Sequence, residues 1–329
     1  MGGSEAAGRS TGPLAAALIG GAAVGLGYLV PGAPSALLVA LLLGAAAANF
    51  IPVVVRPLEA GASAIGGPLL RVGIILLGAK GSLDLVAAVG PAAIAAVVVT
   101  MAAVFGYVTL AARRTRIAPA LAVLLAVGTA VCGNSAIAAA APLVRARRPE
   151  VALAIGTITL FGTAALLVFP ILGRALGLDE LTFGLWAGAG VHDTSQVVAT
   201  AFAFSPEAGE VATIVKLGRN TLMLPILIGL ALFWQEDVPR LAAARSSLVL
   251  VGGYVAMVAL NSAGVLPPAL RDVASVASAW CLAVAMAAVG LGLRLGEFRS
   301  LGGAAVALGF GASVVGGSVA LGMALVLGS

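Results

Sequence analysis

Apolar residues run through this chain in blocks long enough to cross a membrane, and the polar residues fall almost entirely between them. The blocks lie near 13–30, 35–55, 66–79, 88–111, 118–144, 151–172, 181–204, 209–234, 246–263, 273–293 and 301–328. A bilayer core takes about 20 apolar residues of helix, so the pattern predicts an all-α polytopic membrane protein with about 9–11 transmembrane segments. Residues 13–329 read as a single transmembrane domain. Residues 1–12, with Gly2, Gly3, Ser4 and Gly8, read as a disordered tail without a cleavable signal pattern.

Two blocks are interrupted by polar clusters near their middles. Block 118–144 breaks at Cys132-Gly133-Asn134-Ser135, and block 181–204 breaks at His192-Asp193-Thr194-Ser195-Gln196. Irregular backbone at membrane depth survives only inside protein or beside a water-filled cavity. Paired interrupted segments mark the site of many secondary transporters. Arginines bracket the first of them: Arg113, Arg114 and Arg116 before it, Arg145, Arg147 and Arg148 after it. The positive-inside rule places both clusters in the cytoplasm. A crossing helix cannot satisfy that, whereas a re-entrant hairpin can. Hairpins are therefore predicted for both blocks, with a cytoplasmic N-terminus. Broken helices that cross are the alternative.

The same blocks carry an internal repeat. A shift of 60 residues aligns Ser135 with Ser195 and Glu150-Val151-Ala152 with Glu210-Val211-Ala212. A shift of 212 aligns Asn49 with Asn261, Gly78 with Gly290 and Gly90 with Gly302. The two halves are thus related, with the order of elements permuted in the second. With hairpins at both breaks, an odd number of crossings separates each pair, which makes the repeat inverted.

Composition narrows the class. At 329 residues, 61% hydrophobic and 9% charged, the chain does not suit a soluble domain, and its mean hydropathy is +1.15. The net charge of +5 comes mostly from arginines in loops between spans, which argues against a nucleic-acid partner. Cys132 and Cys281 lack metal-ligand spacing, and one histidine does not make a metal centre, so no cofactor is expected.

The polar clusters supply the candidate chemistry. Gly133 allows positive φ and close approach. Asn134 and Ser135 are placed to cap a helix over 136–144, whose free N–H groups suit an anion. Thr194, Ser195 and Gln196 bring donors to a second helix start; Asp193 is placed to cap it, and His192 to titrate near neutral pH. A capped kink and a satisfied core histidine are the plainer readings of these two clusters. Lys216, Arg219 and Asn220 share one helix face. Two cations there could hold an oxyanion, or else neutralise Asp193 or reach an interface. Asn49 and Asn261, single polar residues in apolar spans, are candidates for inter-helix hydrogen bonds or for lining the site. Pro170 and Pro225 are expected to shape helices, and Gly290-Leu291-Gly292 to permit close packing.

At these residues the chain resembles a family of bacterial inner-membrane proteins assigned as sulfate exporters. The resemblance rests on Ala130-Val131-Cys132-Gly133-Asn134-Ser135-Ala136-Ile137-Ala138-Ala139, on Gly188-Ala189-Gly190-Val191-His192-Asp193-Thr194-Ser195-Gln196-Val197-Val198, on Val215-Lys216-Leu217-Gly218-Arg219 and on Arg71-Val72-Gly73-Ile74-Ile75-Leu76-Leu77-Gly78. It implies outward transport of sulfate or a sulfonate, and a distant likeness to bile-acid and arsenite carriers, whose two interrupted helices cross near the midplane. The expected function is secondary transport of a small anion across the plasma membrane. Cys132, Gly133, Asn134, Ser135, Thr194, Ser195, Gln196, Lys216, Arg219 and Asn220 would bind it; His192 and Asp193 would couple a proton. Self-association is left open, and no nucleotide-binding motif is present. Two rivals stand beside this reading: a cation–proton antiporter using Asp193, and an intramembrane enzyme with Ser135 or Cys132 as nucleophile and His192 and Asp193 as base and orienter.

Overall fold

A computed structural model describes residues 2–29, 35–115, 117–234, 242–296 and 302–328, without the side chains of 2–10, 27–29, 234 and 242–247. Every regular element among the described residues is helical. In chain order they are α1 (Gly2–Leu29), α2 (Ala36–Phe50), α3 (Pro52–Leu77), α4 (Leu83–Ala112), α5 (Pro119–Ala130), α6 (Asn134–Ala140), α7 (Arg148–Ala175), α8 (Glu180–Gly190), α9 (Thr194–Phe204), α10 (Pro206–Thr221), α11 (Met223–Trp234), α12 (Ala242–Ser262), α13 (Pro268–Leu291) and α14 (Gly303–Leu327). Among the described residues six helical stretches are long and apolar enough to cross a membrane, α10 and α11 counting together as one. The chain is an all-α polytopic membrane protein.

Several boundaries differ from the sequence pattern. Block 35–55 breaks at Ile51, between α2 and α3, because Pro52 disfavours helix at the residue before it, and its last residues join block 66–79 in α3. Residues 56–65, polar enough to read as a loop, continue α3 through Pro57. Block 209–234 parts at Leu222 into α10 and α11, with Pro225 in the first turn of α11. Helix α1 starts at Gly2, within the stretch expected as a tail; Met1 and the side chains of that stretch up to Ser10 lie outside the described residues. Arg116 of the first arginine cluster also lies outside them.

The chain divides into two compact units. Residues 1–85 with 252–296 form the first, and residues 86–251 with 297–329 form the second. Each is assembled from stretches far apart in the chain, which local hydropathy cannot reveal.

The first unit packs α1, α2, α3 and α13 through small residues. Gly44 of α2 meets Gly290 of α13 so closely that a methyl on Gly290 would lie 2.3 Å from the Leu41 carbonyl. Close backbone approach of this kind is how membrane helices associate where no hydrophobic drive exists. Gly290 therefore serves packing, as its neighbours in sequence suggest. Asn49 Nδ2 donates to the Leu293 carbonyl (2.8 Å) and Asn261 Nδ2 to the Gly81 carbonyl (3.0 Å). The shift of 212 carries Asn49 to Asn261 and Gly81 to Leu293, so each repeat donates to the other through equivalent atoms. Asn49 and Asn261 are joints of the inverted repeat within this unit.

In the second unit helix direction settles the topology of the interrupted blocks. Gly309 of α14 lies against Thr157 of α7 and Gly317 against Phe169, so these two helices run parallel. Gly316 lies against Val104 of α4 and Gly311 against Tyr107, so α4 runs the opposite way. The end of α4 and the start of α7 thus share one end of the bundle. From Ala112 to Pro119 the chain reaches at most about 25 Å, short of the roughly 30 Å of a bilayer core. Helix α5 must start at that same end, and α6 returns to it: block 118–144 is a hairpin.

Block 181–204 is a hairpin too. Phe183 and Phe204, near its two ends, stack with ring centroids 4.0 Å apart. Gly184 and Gly188 of α8 face Val211 and Val215 of α10 in parallel, while Gly209 of α10 meets Phe202 of α9 as the chain turns back. Helix α8 runs against α14, with Thr182 beside Gly328 and Gly190 beside Ala320. The second hairpin therefore enters from the end where α7 and α14 finish, opposite to the first.

Candidate functional site

The two hairpin tips meet inside the second unit. Residues 131–133 and 191–193 are the breaks, and the shift of 60 superposes them residue for residue. Gly133 takes φ +67°, a conformation that favours glycine, and a Cβ there would lie 2.8 Å from Asp193 Oδ2. Gly133 and Asp193 are repeat equivalents, so the tips touch at the pseudo-twofold.

Helix α10 supplies two cations beneath this contact. Lys216 and Arg219 are each 1% exposed. Lys216 Nζ donates to the carbonyls of Val131 (3.0 Å), Val191 (3.3 Å) and His192. Arg219 donates through Nε to Ala130 O (2.6 Å), through Nη1 to Ala189 O (2.8 Å) and Val191 O (3.0 Å), and through Nη2 to Thr129 O. These carbonyls are the open C-terminal ends of α5 and α8. Helix ends of this kind leave carbonyls without partners and carry partial negative charge, which cations offset. The pair thus ties both tips together, a role the one-face spacing alone does not disclose. All of these observed bonds run to main-chain carbonyls.

Asp193 caps α9. Its Oδ1 accepts from Ser195 N (2.9 Å) and Ser195 Oγ (2.7 Å), and Gln196 Oε1 accepts from Asp193 N (3.3 Å). Gln196 also reaches Thr159 O and Thr163 Oγ1 on α7 at 3.4 and 3.5 Å. The first tip differs from expectation. Gly133 is itself the N-cap of α6, no side chain caps that helix, and it spans 134–140 where 136–144 is expected. The positive φ at Gly133 turns the chain into helix earlier, so Asn134 and Ser135 fall inside the first turn.

His192 is 1% exposed, and its Nε2 lies 2.7 Å from Ser313 Oγ on α14. Ser313 Oγ in turn donates to Gly309 O (2.7 Å). Within hydrogen-bond geometry His192 Nδ1 meets no partner among the described residues. Asn134 Oδ1, Asn220 Oδ1 and Thr129 Oγ1 are likewise buried without partners among the described residues. Asn220 Nδ2 approaches Thr194 Oγ1 at 3.4 Å. Cys132 Sγ contacts Met223 Sδ at 3.6 Å. Each unmet buried group costs about 1–3 kcal/mol. Such a cluster at the meeting of two tips is where a polar ligand would be stabilised.

The structure brings Cys132, Gly133, Asn134, Thr194, Ser195, Gln196, Lys216, Arg219, Asn220, His192 and Asp193 into this one region. Ser135 is exposed beside it. Asn49 and Asn261 belong to the other unit. Sequence reasoning missed Ser313 and the carbonyls of Thr129, Ala130, Ala189 and Val191; main-chain acceptors leave no residue-type signal. No group of His, Cys, Asp and Glu suited to a metal occurs among the described residues.

Comparison with known proteins gives consistent matches along most of the chain. The family described as conserved hypothetical protein 698 matches residues 11–309. The "UPF0324 membrane protein TauZ" of Paracoccus pantotrophus is 34% identical over 84% of this chain and 83% of its own length. The "UPF0324 membrane protein RB0971" of Rhizobium meliloti is 35% identical over 84% of this chain and 81% of its own. The "UPF0324 membrane protein Bd1437" of Bdellovibrio bacteriovorus is 35% identical over 78% of this chain and 80% of its own. No solved structure matches.

Proposed function

The chain belongs to the family described as conserved hypothetical protein 698, and from the geometry of its two tips we propose that it is a secondary transporter of a small anion, sulfate or an organosulfonate. The observation that carries this is charge. At the tips two buried cations, Lys216 and Arg219, face one carboxylate, Asp193. The ends of α5 and α8 and the starts of α6 and α9 meet there, so their dipoles offset one another. By formal side-chain charge the cations exceed the carboxylate by one among the described residues, and buried charge without a counter-ion is costly. A bound anion relieves that cost. The Asn134 and Asn220 amides, turned about their last torsion, would offer Nδ2 donors, and Ser135 and Thr194 would add hydroxyls. Asp193 beside His192 would couple a proton to the cycle.

Two tips entering from opposite ends suit alternating access, as in transporters with inverted repeats and helix ends at the midplane. By the positive-inside rule the end of the second unit bearing Arg113, Arg114, Arg145, Arg147 and Arg148 faces the cytoplasm of the bacterial inner membrane. The rivals fit less well. Two cations beside Asp193 disfavour a metal cation there. The His192 ring engages Ser313 and not Ser135 or Cys132, which disfavours a nucleophile–base pair there.

The test is counterflow of labelled sulfate and methanesulfonate in proteoliposomes, with and without an imposed pH gradient. Wild type is expected to exchange an oxyanion and to respond to the gradient. Asp193→Asn keeps an acceptor for Ser195 N, so it should fold and exchange but lose the gradient response. Sodium–proton exchange without oxyanion flux would overturn the proposal.

A further inference from the structure

A cavity of about 310 Å³ lies between α7 and α14 in the second unit, with α8 as its floor. It is separate from the polar contact of the tips but shares His192 with it. In a chain only 5% aromatic, Phe161, Phe169, Trp186 and Phe310 all line it. Phe169 stacks on Trp186 with centroids 4.1 Å apart, and the Trp186 indole donates to Gly317 O (2.9 Å), so the wall is held rigid. Its polar end is His192 with Ser313. Two of its rim residues, Phe310 and Val314, are 57% and 48% exposed, so it opens at the surface of this unit.

The volume falls within the range of about 300–1,000 Å³ typical of small-molecule sites, which are mostly apolar with a few convergent polar groups. Inorganic sulfate has no use for such walls, because a polar group placed against them loses hydration without gaining hydrogen bonds. His192 joins the cavity to the charged tip. Its carbonyl accepts from Lys216 Nζ, and its ring forms part of the wall. A molecule with an anionic head at the cations and an apolar body would fill both.

We propose that the cavity between α7 and α14 receives the apolar body of the transported anion, so that the substrate is an organic anion such as an alkyl or aryl sulfonate and not inorganic sulfate. This rests on the anion-transport reading above. The occupant follows from charge complementarity at one end and apolar volume at the other, with His192 continuous between them.

Isothermal titration of the full chain in lipid nanodiscs tests it, using sulfate and the linear series from methanesulfonate to hexanesulfonate, with protein-free discs as the partition background. Burial of each methylene is worth about 0.8 kcal/mol, so Kd is expected to fall about 4-fold per added carbon. Ala165→Phe on α7 and Val314→Phe on α14 each fill the cavity from a different wall. Either should flatten the series while leaving methanesulfonate near its wild-type Kd. A flat series in wild type overturns the proposal, and so does a slope undiminished in both variants, which would mark chain partitioning into the bilayer. Binding of sulfate and methanesulfonate with a flat series removes this inference alone. Absence of binding by any anion removes the transport reading beneath it as well.

Discussion

Replacing Arg219 with alanine should cost this protein a large share of its stability, because the guanidinium is the partner of four main-chain carbonyls at once. Three of these, on Thr129, Ala130 and Ala189, have no other donor among the observed bonds; Val191 O keeps Lys216. The methylene stem is also lost from a site where the residue is 1% exposed. A buried acceptor left unpaired costs about 1–3 kcal/mol, so three of them cost about 3–9 kcal/mol. That compares with about 5–15 kcal/mol of total stability for an ordinary domain. At roughly 2–4 °C per kcal/mol, the melting temperature should fall by about 6 °C or more. Thermal unfolding in detergent, followed by tryptophan fluorescence, measures this. Arg219→Lys should recover only part, since an ammonium offers three donors from one point and the guanidinium spreads its donors over a fork. Melting of Arg219→Ala within about 2 °C of wild type would show that the carbonyl ends of α5 and α8 do not need the cation, and the clamp would be wrong.

Other expectations follow from the same geometry. In a background with Cys132→Ala and Cys281→Ala, cysteines at Arg114 and Arg147 should react with an impermeant reagent from the same side; labelling from opposite sides would refute the first hairpin. Gly133→Ala should lower stability by at least about 1 kcal/mol, because it combines positive φ with a clash against Asp193, and an unchanged melting temperature would contradict that tip geometry. Asn261→Ala should lose about 1–3 kcal/mol with its bond to Gly81 O, and Asn49→Ala more, because Asn49 also accepts from Leu295 N (2.9 Å) through Oδ1; unchanged melting temperatures in both would argue against these joints.

Much of this fold was legible in residue order because a bilayer imposes simple rules. Hydrocarbon demands long apolar helices, and the blocks revealed them. The six bracketing arginines pointed to a hairpin, and helix directions in the second unit bear it out. The shift of 60 identified repeat partners that prove to touch, as Gly133 touches Asp193, and the shift of 212 paired Asn49 with Asn261, whose bonds to Leu293 O and Gly81 O correspond. The clusters at Cys132–Ser135 and His192–Gln196 stood out because polar residues at that depth need a reason. Tertiary structure decided what those residues do. Lys216 and Arg219 looked like an anion clamp, but their observed bonds run to carbonyls of α5 and α8, and a main-chain acceptor carries no mark in sequence. Asn134 and Ser135 looked like caps until the φ of Gly133 shifted the helix start. Ser313 and the aromatic cavity joined His192 from a helix more than a hundred residues away. Apolar periodicity is local and survives any arrangement of the helices, whereas hydrogen bonds between main-chain ends and the voids between helices exist only once the helices are packed.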